Sequence, residues 1–327
     1  MPVQKRIQFL GVAKQSAKGT PAASPTYGLG TLGGSVLVLG IDQEPDQITY
    51  QQDKRISPDE NRLAINPGAA IRTRAFLRSI GLLLYGALGS LATSGVGPDY
   101  THTITPALTL PYLTLWTQLG SAERAKVTDG KVDTLRISWS ERSPLEVEAT
   151  FVGASAALGE GAWTAANDET GTEKFIPPGG TFKLDAASGT PLEAKISGGE
   201  ITINNNLIGI PLSKSQYPDD VYEGEQVLEV SLTLLPDDLA EWRKAVTGSG
   251  SGTSPSNTPV FGSFDLLFSL AANKQLQLVA SKVAFFPEFP EGDPAGGPVE
   301  LTVPGRVKLP SAGNAFTATL KNQTASY

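Results

Sequence analysis

Residues 126–152 read KVTDGKVDTLRISWSERSPLEVEATFV and decide how the rest of the chain is interpreted. Leu135, Ile137 and Trp139 alternate with polar residues, and a second alternating run covers residues 145–151. Alternation with a period of two is typical of strands that bury one face and expose the other. The polar break over residues 140–144 separates the two runs, so the stretch predicts a β-hairpin with a short turn of several residues.

A similar pattern returns later in the chain. Residues 195–201 (KISGGEI) resemble residues 126–132 (KVTDGKV), and residues 227–233 (VLEVSLT) resemble residues 144–150 (PLEVEAT). Two copies of one unit would give a β body made of two related halves. Shared strand chemistry also produces short likenesses of this kind, so the sequence leaves both explanations open.

Composition indicates a globular, mainly β chain. Of the 327 residues, 40% are hydrophobic and 18% are charged, and 35 Gly with 24 Pro suit many short strands separated by turns. The chain has no cysteine and a single histidine, His102, so zinc and copper sites and a Ser-His-Asp triad have too few candidate residues, and the acidic clusters are interpreted as solvated loops without calcium-site spacing. No apolar run approaches the length of a membrane span. We therefore predict that the protein is not an enzyme and has no cofactor and no metal site.

The chain is expected to form one domain with recognisable parts. Residues 1–34 are predicted to be an extended N-terminal arm, and residues 35–152 a first β half. Residues 153–180, rich in Ala and Gly, are expected to be a loose insertion. Residues 181–327 form a second β half, with a flexible loop over residues 248–259.

One strong helix is predicted within the first half, over residues 73–88. Apolar residues recur there at helical spacing, and Gly89 is placed to cap the C-terminus. The residues expected to pack this helix on the sheet are Phe76, Ile80, Leu83 and Leu84.

Three features predict contacts with other molecules. The arm is locally basic, the polar stretch over residues 42–62 is long enough to project as a hairpin, and arginines surround the predicted helix start, where positive charge opposes the helix dipole. The residues that we expect at these contacts are Lys5, Arg6, Lys14, Lys18, Ile48, Tyr50, Lys54, Arg55, Arg72, Arg74 and Arg78.

Four segments, read in order along the chain, carry a family resemblance. They are GVAKQSAKGTPAASPTY (11–27), YTHTITPALTLPYLTLWTQLG (100–120), the hairpin KVTDGKVDTLRISWSERSPLEVEATFVG (126–153), and ISGGEITINNNL (196–207) followed by YPDDVYEGEQVLEVSLTLL (217–235). In this ordered set the chain resembles the tail tube (major tail) proteins of long-tailed bacteriophages, especially siphophages of actinobacteria. Residues 153–180 and the chain after Trp242 match this pattern only loosely.

The resemblance implies a mainly β fold, a tail-tube β-sandwich or partial barrel with one flanking helix, a long projecting loop and an extended arm. It implies a structural virion protein: six subunits form a ring, their strands join into one barrel, and rings stack into a tube that conducts DNA during ejection. The loop and the arm would reach between rings. The net charge of −7 would suit a negatively charged lumen that does not retain DNA.

The resemblance also implies partners and a location. The partners are further copies of the chain, a tape measure protein inside the tube, tail tip and terminator proteins, and phage DNA that passes without sequence-specific binding. The location is the virion tail, with assembly in the host cytoplasm.

Two other functions stay in consideration. The chain could be the tube subunit of a related tail-like bacteriocin, gene-transfer particle or injection machine. A carbohydrate-binding β-sandwich module is the second alternative, and it would expose aromatic side chains on one face. Aromatic residues make up only 7% of the chain, and Trp116 and Trp139 lie in alternating strands that predict core positions, which disfavours this module.

Overall fold

The computed structural model describes residues 8–45, 60–119, 123–169, 171–187, 189–290 and 299–327. As predicted, the chain is mainly β. The strands are β1 (Gln8–Lys14), β2 (Tyr27–Leu29), β3 (Val36–Val38), β4 (Ile41–Pro45), β5 (Glu60–Ile65), β6 (Gly68–Arg74), β7 (Gly89–Val96), β8 (Asp99–Pro106), β9 (Leu113–Leu119), β10 (Glu123–Ser140), β11 (Glu146–Val152), β12 (Ser155–Leu158), β13 (Asn167–Asp168), β14 (Thr181–Asp185), β15 (Leu192–Glu193), β16 (Ile196–Asn204), β17 (Ile208–Pro211), β18 (Pro218–Tyr222), β19 (Val227–Leu234), β20 (Phe261–Ala271), β21 (Lys274–Phe285), β22 (Leu301–Val307) and β23 (Phe316–Asn322). The helices are α1 (Ser79–Leu88) and α2 (Ala240–Thr247).

Eight strands form a central antiparallel sheet in the order β3–β6–β11–β10–β16–β19–β22–β21. The predicted hairpin is part of it, since β10 and β11 pair from Lys131–Val152 to Ser138–Glu146. Apolar side chains of these strands alternate with polar ones, so one face is buried and the other meets solvent.

Two flanking sheets share strands with the central sheet. The first has the order β12–β10–β9–β1–β2, and the second has the order β15–β14–β20–β21–β23–β8–β7. The long strands β10 and β21 each belong to a flanking sheet at one end and to the central sheet at the other. No series of pairings among the described strands returns to its starting strand, so these sheets keep open edges.

The three sheets and α1 enclose one hydrophobic core. Leu10 and Leu115 come from the first flanking sheet, Leu135 from the central sheet, Leu278 from the second flanking sheet, and Leu83 from α1, and all belong to one buried cluster. Burying these apolar faces against one another supplies most of the favourable free energy of folding. Neither α1 nor α2, the helices of the described part of the chain, is long and apolar enough to cross a membrane.

The helix predicted over residues 73–88 begins later, at Ser79. Residues 68–74 instead form β6, which pairs along its whole length with β11 and buries Ala69, Ile71 and Thr73 at alternate positions. Residues 68–74 therefore follow their alternating pattern and form a strand, and the helical spacing determines the structure only from Ser79 onwards. The predicted C-cap is present: Gly89 has φ 94° and donates its N–H to the Tyr85 carbonyl.

The four residues predicted to pack the helix are all buried, but α1 has no polar side. Phe76 precedes the helix, and Ile80, Leu83 and Leu84 lie on it. Every residue of α1 except Tyr85 is buried, which is the pattern of a helix enclosed in the core rather than one lying on the surface.

The predicted arm and insertion are corrected by the structure. Residues 8–14 form β1 between β2 and β9, with Leu10 and Val12 fully buried, so this part of the arm belongs to the core. Within residues 153–180, Phe175 is fully buried and its backbone bonds to Leu145 and Ala75, so the segment is not a loose insertion.

Two two-stranded ribbons project from the central sheet. β4 pairs with β5, and β17 pairs with β18. The first ribbon is the base of the hairpin predicted over residues 42–62, while residues 46–59 lie outside the described part of the chain. The ribbons touch each other, because Gln216 accepts a hydrogen bond from the Ile65 N–H at 2.8 Å and donates one to the Arg62 carbonyl at 2.9 Å.

Candidate functional site

The solvent face of the central sheet carries a row of charged side chains that crosses the strands, hereafter the charge ladder. It is formed by outward positions of β6, β11, β10, β16, β19 and β22. Its members are Arg72, Arg74, Glu146, Glu148, Arg136, Glu200, Glu229 and Arg306. Four are basic and four are acidic, so the charges of the ladder balance.

Each member of the charge ladder pairs with a residue on an adjacent strand. Arg136 lies between two acids, with Glu148 at 3.0 Å and Glu200 on the other side. Arg72 bridges Glu146 at 2.9 Å and Glu148 at 3.2 Å. The strand register places these residues opposite or diagonal to each other, where long side chains meet.

The pairing changes the proton affinity of these groups. A hydrogen bond from Arg72 holds the pKa of Glu146 below its usual value, and Arg136 does the same to the pKa of Glu200. The pKa of Arg136 is raised in turn, chiefly by its hydrogen bond to Glu200. All three groups are therefore charged at neutral pH, and the ladder is a paired surface rather than a field of one sign.

A second polar cluster attaches the segment after β1 to the second ribbon. Lys18 forms ion pairs with Asp220 at 3.0 Å and Asp219 at 3.5 Å. The Tyr112 hydroxyl donates to Asp220 at 3.0 Å, and the Lys131 ammonium lies 4.5 Å from the centre of the Tyr112 ring. This cluster fixes the position of the ribbon relative to β9 and β10.

Lys131 also holds the end of the ribbon through a buried ion pair. Its Nζ donates to Glu223 Oε1 at 2.9 Å and to the Val221 carbonyl at 2.6 Å, and the Leu110 N–H donates to the same carboxylate at 2.8 Å. Burial raises the pKa of Glu223, but the Leu110 amide and the Lys131 ammonium lower it more, so the net pKa lies below the usual value. A charged pair of this kind stabilises only as long as both members are present.

Most of the predicted contact residues that are described have partners within their own chain. Lys14 lies over the Tyr85 ring at 4.7 Å, and Lys18 and the arginines of β6 form the ion pairs given above. Arg72 and Arg74 were expected at the start of the helix. They lie on β6 instead and belong to the charge ladder. Arg78 is exposed just before α1. The other predicted contact residues, Lys5, Arg6, Ile48, Tyr50, Lys54 and Arg55, lie outside the described residues.

The two ribbons expose apolar side chains that no described part of the chain covers. Ile41 and Leu63 are exposed on the first ribbon, and Ile208, Ile210 and Tyr222 on the second. Ile208 and Tyr222 are opposite each other on the two strands of the second ribbon, and neighbouring exposed apolar side chains are typical of a contact with another protein. The sequence argument missed this surface on the second ribbon, although Ile208 and Ile210 alternate within residues 208–211 and could have signalled it.

The single histidine is a buried structural residue. His102 bonds through Nδ1 to Thr93 at 2.9 Å and through Nε2 to the Thr324 carbonyl at 2.9 Å. Burial lowers the pKa of His102, so the ring is neutral at neutral pH. Within the described ranges, no group of three or more His, Asp and Glu side chains is placed to hold a metal ion.

Comparison with known proteins adds one finding to this geometry. A family described as phage tail tube protein matches residues 6–309, which is nearly the whole chain. No curated protein matches the chain.

Proposed function

The chain belongs to the phage tail tube protein family, and on this premise we propose that it assembles into stacked rings whose joined central sheets enclose a conduit for DNA. The family is a structural one, and the chain is a component of the virion tail. The observation that carries the proposal is the central sheet: it has open edges, one buried face and one polar face. Closing such sheets around a ring pairs the free edges and leaves the polar faces towards the lumen.

The charge ladder supports this orientation. DNA carries a dense negative charge and binds to any surface that offers it unpaired Lys and Arg. On the ladder, four arginines are each paired with glutamates, so a lumen lined by it offers DNA few free cations. The net charge of the chain suggested a negatively charged lumen, but the ladder has equal numbers of arginines and glutamates. In this proposal, DNA is weakly retained because each arginine is already paired with a glutamate.

The proposal includes the contacts that the family resemblance implies. The resemblance implies a ring of six subunits, with the loop over residues 42–62 and the arm of residues 1–18 reaching the next ring. A tape measure protein fills the tube before ejection. The tail tip proteins and the terminator protein are located at its two ends. Assembly takes place in the host cytoplasm. A tube of a tail-like bacteriocin, gene-transfer particle or injection machine uses the same contacts. Trp116 and Trp139 are buried, which leaves a carbohydrate-binding face without these two platforms.

The first test is negative-stain electron microscopy of the purified protein at rising concentration, with and without a tail tip complex as nucleus. We expect rings or hollow tubes, because the free edges and exposed ribbons gain partners on assembly. A protein that stays monomeric under both conditions contradicts the proposed function.

Removing the acids beside Arg136 tests the lumen assignment. In a Glu148→Gln/Glu200→Gln variant, Arg136 loses both partners and presents a free guanidinium. We expect assembled tubes of this variant to retain about threefold more short double-stranded DNA at low salt, with the excess lost at high salt. DNA that co-sediments with the tubes measures the effect. The control is Glu141→Gln/Glu225→Gln, which changes net charge equally at exposed positions outside the ladder; equal retention by both variants contradicts the assignment.

A further inference from the structure

We propose that each chain carries two tube-forming units, and that the end of β21 pairs with β3 of a second copy to close the ring. A ring of six positions then contains three chains. This inference rests on the proposed function and specifies its partner surface. The first unit spans residues 8–158 and the second spans residues 181–322, with β7 and β8 as an extra hairpin in the first.

The flanking sheets repeat the same series of pairings. In the first unit, β2 pairs with β1, β1 with β9, β9 with β10, and β10 with β12. In the second unit, β15 pairs with β14, β14 with β20, β20 with β21, and β21 with β23. Strand for strand, the two series have the same chain order and the same antiparallel directions.

The central sheet repeats in the same way. The first unit contributes β3–β6–β11–β10, and the second contributes β16–β19–β22–β21. In both units a ribbon projects between the first two of these strands, β4–β5 in one and β17–β18 in the other. The correspondence extends to single residues, since Ile71 opposite Ala149 matches Val230 opposite Gly305.

The helices confirm that register. α1 and α2 follow β6 and β19, and each ends at a left-handed glycine, Gly89 with φ 94° and Gly248 with φ 82°. Gly89 lies 18 residues after Ile71, and Gly248 lies 18 residues after Val230. Identical spacing over a strand, a connection and a helix is not expected of unrelated segments, so the units are copies of one design.

On the central sheet, the joint between the two units is the pairing of β10 with β16. Residues 134–140 of β10 pair with residues 198–204 of β16, with Leu135 opposite Ile203 and Arg136 opposite Thr202. Trp139 is buried at this joint, where its ring contacts Phe268 of the second unit edge-on at 5.3 Å. The joint therefore combines strand pairing on the central sheet with an aromatic anchor against the next unit.

The matching strands at the two ends of the chain lack this pairing. Within the described residues, β3 pairs with β6 alone. Phe285, the last residue of β21, and Phe286 after it have β22 on one side only, because the pairing of β21 with β20 stops at Ala284. The internal joint supplies the register for the external one. Phe285 corresponds to Leu135 and Leu37 to Ile203, so Phe285 should lie opposite Leu37 of the next copy and Phe286 opposite its Val36.

The aromatic anchor recurs at the external end as well. Phe289 occupies the position that corresponds to Trp139, four residues after Phe285. Its side chain is 72% exposed, whereas Trp139 is only 6% exposed because the second unit covers it. Trp139 is buried by the unit that follows it in the chain, whereas no unit follows Phe289. We infer that the first unit of another copy covers Phe289 in the ring.

The ribbons give an independent indication of the same contact. Within the chain, the second ribbon and its connecting segment touch the base of the first ribbon through Gln216. Applying that relation across the external joint brings the first ribbon of the next copy to the base of the second ribbon, where Ile208 and Tyr222 are exposed. The same joint thus accounts for both the strand end and the apolar ribbon surface.

Engineered disulfides count the chains in a ring, because the protein has no cysteine of its own. In a Val36→Cys/Phe286→Cys variant, the two cysteines occupy register positions opposite each other across the external joint, at the backbone separation of paired antiparallel residues that a disulfide can bridge. Oxidation of assembled rings should give a denaturing-gel ladder that ends at three chains. The matched control is Arg136→Cys/Thr202→Cys, whose equivalent pair lies at the internal joint and should close within single chains.

The outcomes separate this inference from the function on which it rests. Rings or tubes whose ladder ends at six chains contradict two units per chain but leave the tube function intact. Assembled rings in which only the internal control pair oxidises contradict the proposed strand pairing. A protein that forms neither rings nor tubes contradicts the proposed function, and this inference with it.

Discussion

Replacing Phe289 with Glu is expected to prevent ring and tube formation at concentrations where the unaltered protein assembles, while the isolated chain stays folded. Phe289 is 72% exposed in the single chain, so its loss removes little beyond an edge contact with Trp242 at 5.2 Å. At the proposed joint it is an anchor, and burying a phenylalanine contributes about 1.5–3 kcal/mol. That is about a tenfold to hundredfold change in affinity for each joint, before the cost of burying a carboxylate is added.

The measurement is the critical concentration for assembly, followed by sedimentation and electron microscopy. Val96→Glu is the matched control, because Val96 is 83% exposed and lies on β7, which is not a strand of the central sheet. Circular dichroism checks that each variant is folded. If the Phe289→Glu protein assembles at the same concentration as the control, Phe289 is not an anchor. That result would also count against the proposed pairing of β21 with β3.

The Glu223→Ala variant is expected to lose about 3–5 kcal/mol of folding free energy, the range found when one member of a buried pair is removed. Lys131 is buried, and in this variant its ammonium keeps only the Val221 carbonyl and the Tyr112 ring as partners. Equilibrium unfolding in urea measures the loss. A Lys131→Met/Glu223→Gln double variant is the control, because it removes both charges and should be less destabilised than the single change.

The same pair predicts how stability depends on pH. The net pKa of Glu223 is lowered in the folded chain: burial raises it, but the Leu110 amide and Lys131 lower it more. A carboxyl group with a depressed folded pKa contributes stability above its unfolded pKa of about 4.3 and loses it as the pH falls through the folded pKa. The unaltered protein should therefore lose more stability than Glu223→Ala between pH 6 and about pH 3. Parallel curves for the two proteins would contradict this contribution.

Local structure could be predicted where it depends on neighbouring residues. The alternation of Leu135, Ile137 and Trp139 predicted a strand with one buried face, and that strand is β10. Gly89 predicted the end of a helix because a left-handed C-cap favours glycine. The start of the same helix was placed too early, since residues 73–74 fit either a strand or a helix until β11 pairs with them.

The candidate surfaces were less accessible to sequence reasoning. Arg72 and Arg74 were noticed for their charge, but their partners Glu146 and Glu148 lie more than seventy residues away, so their role in the charge ladder depends on strand register. The basic arm looked unattached for the same reason. Leu10 and Val12 are core residues only because β9 lies beside β1.

The sequence by itself determined the family, the mainly β class and the buried face of each strong strand, because periodicity and ordered motifs are local properties of the chain. Only the tertiary structure decided which segments correspond. The likeness between residues 126–132 and 195–201 suggested two copies, yet it joins β10 to β16, whereas the pairings match β10 with β21 and β16 with β3. Any two half-buried strands share the same alternation, so a short likeness does not specify equivalence. Hydrogen-bonded partners distant in sequence do specify it, and they form only when the chain has folded.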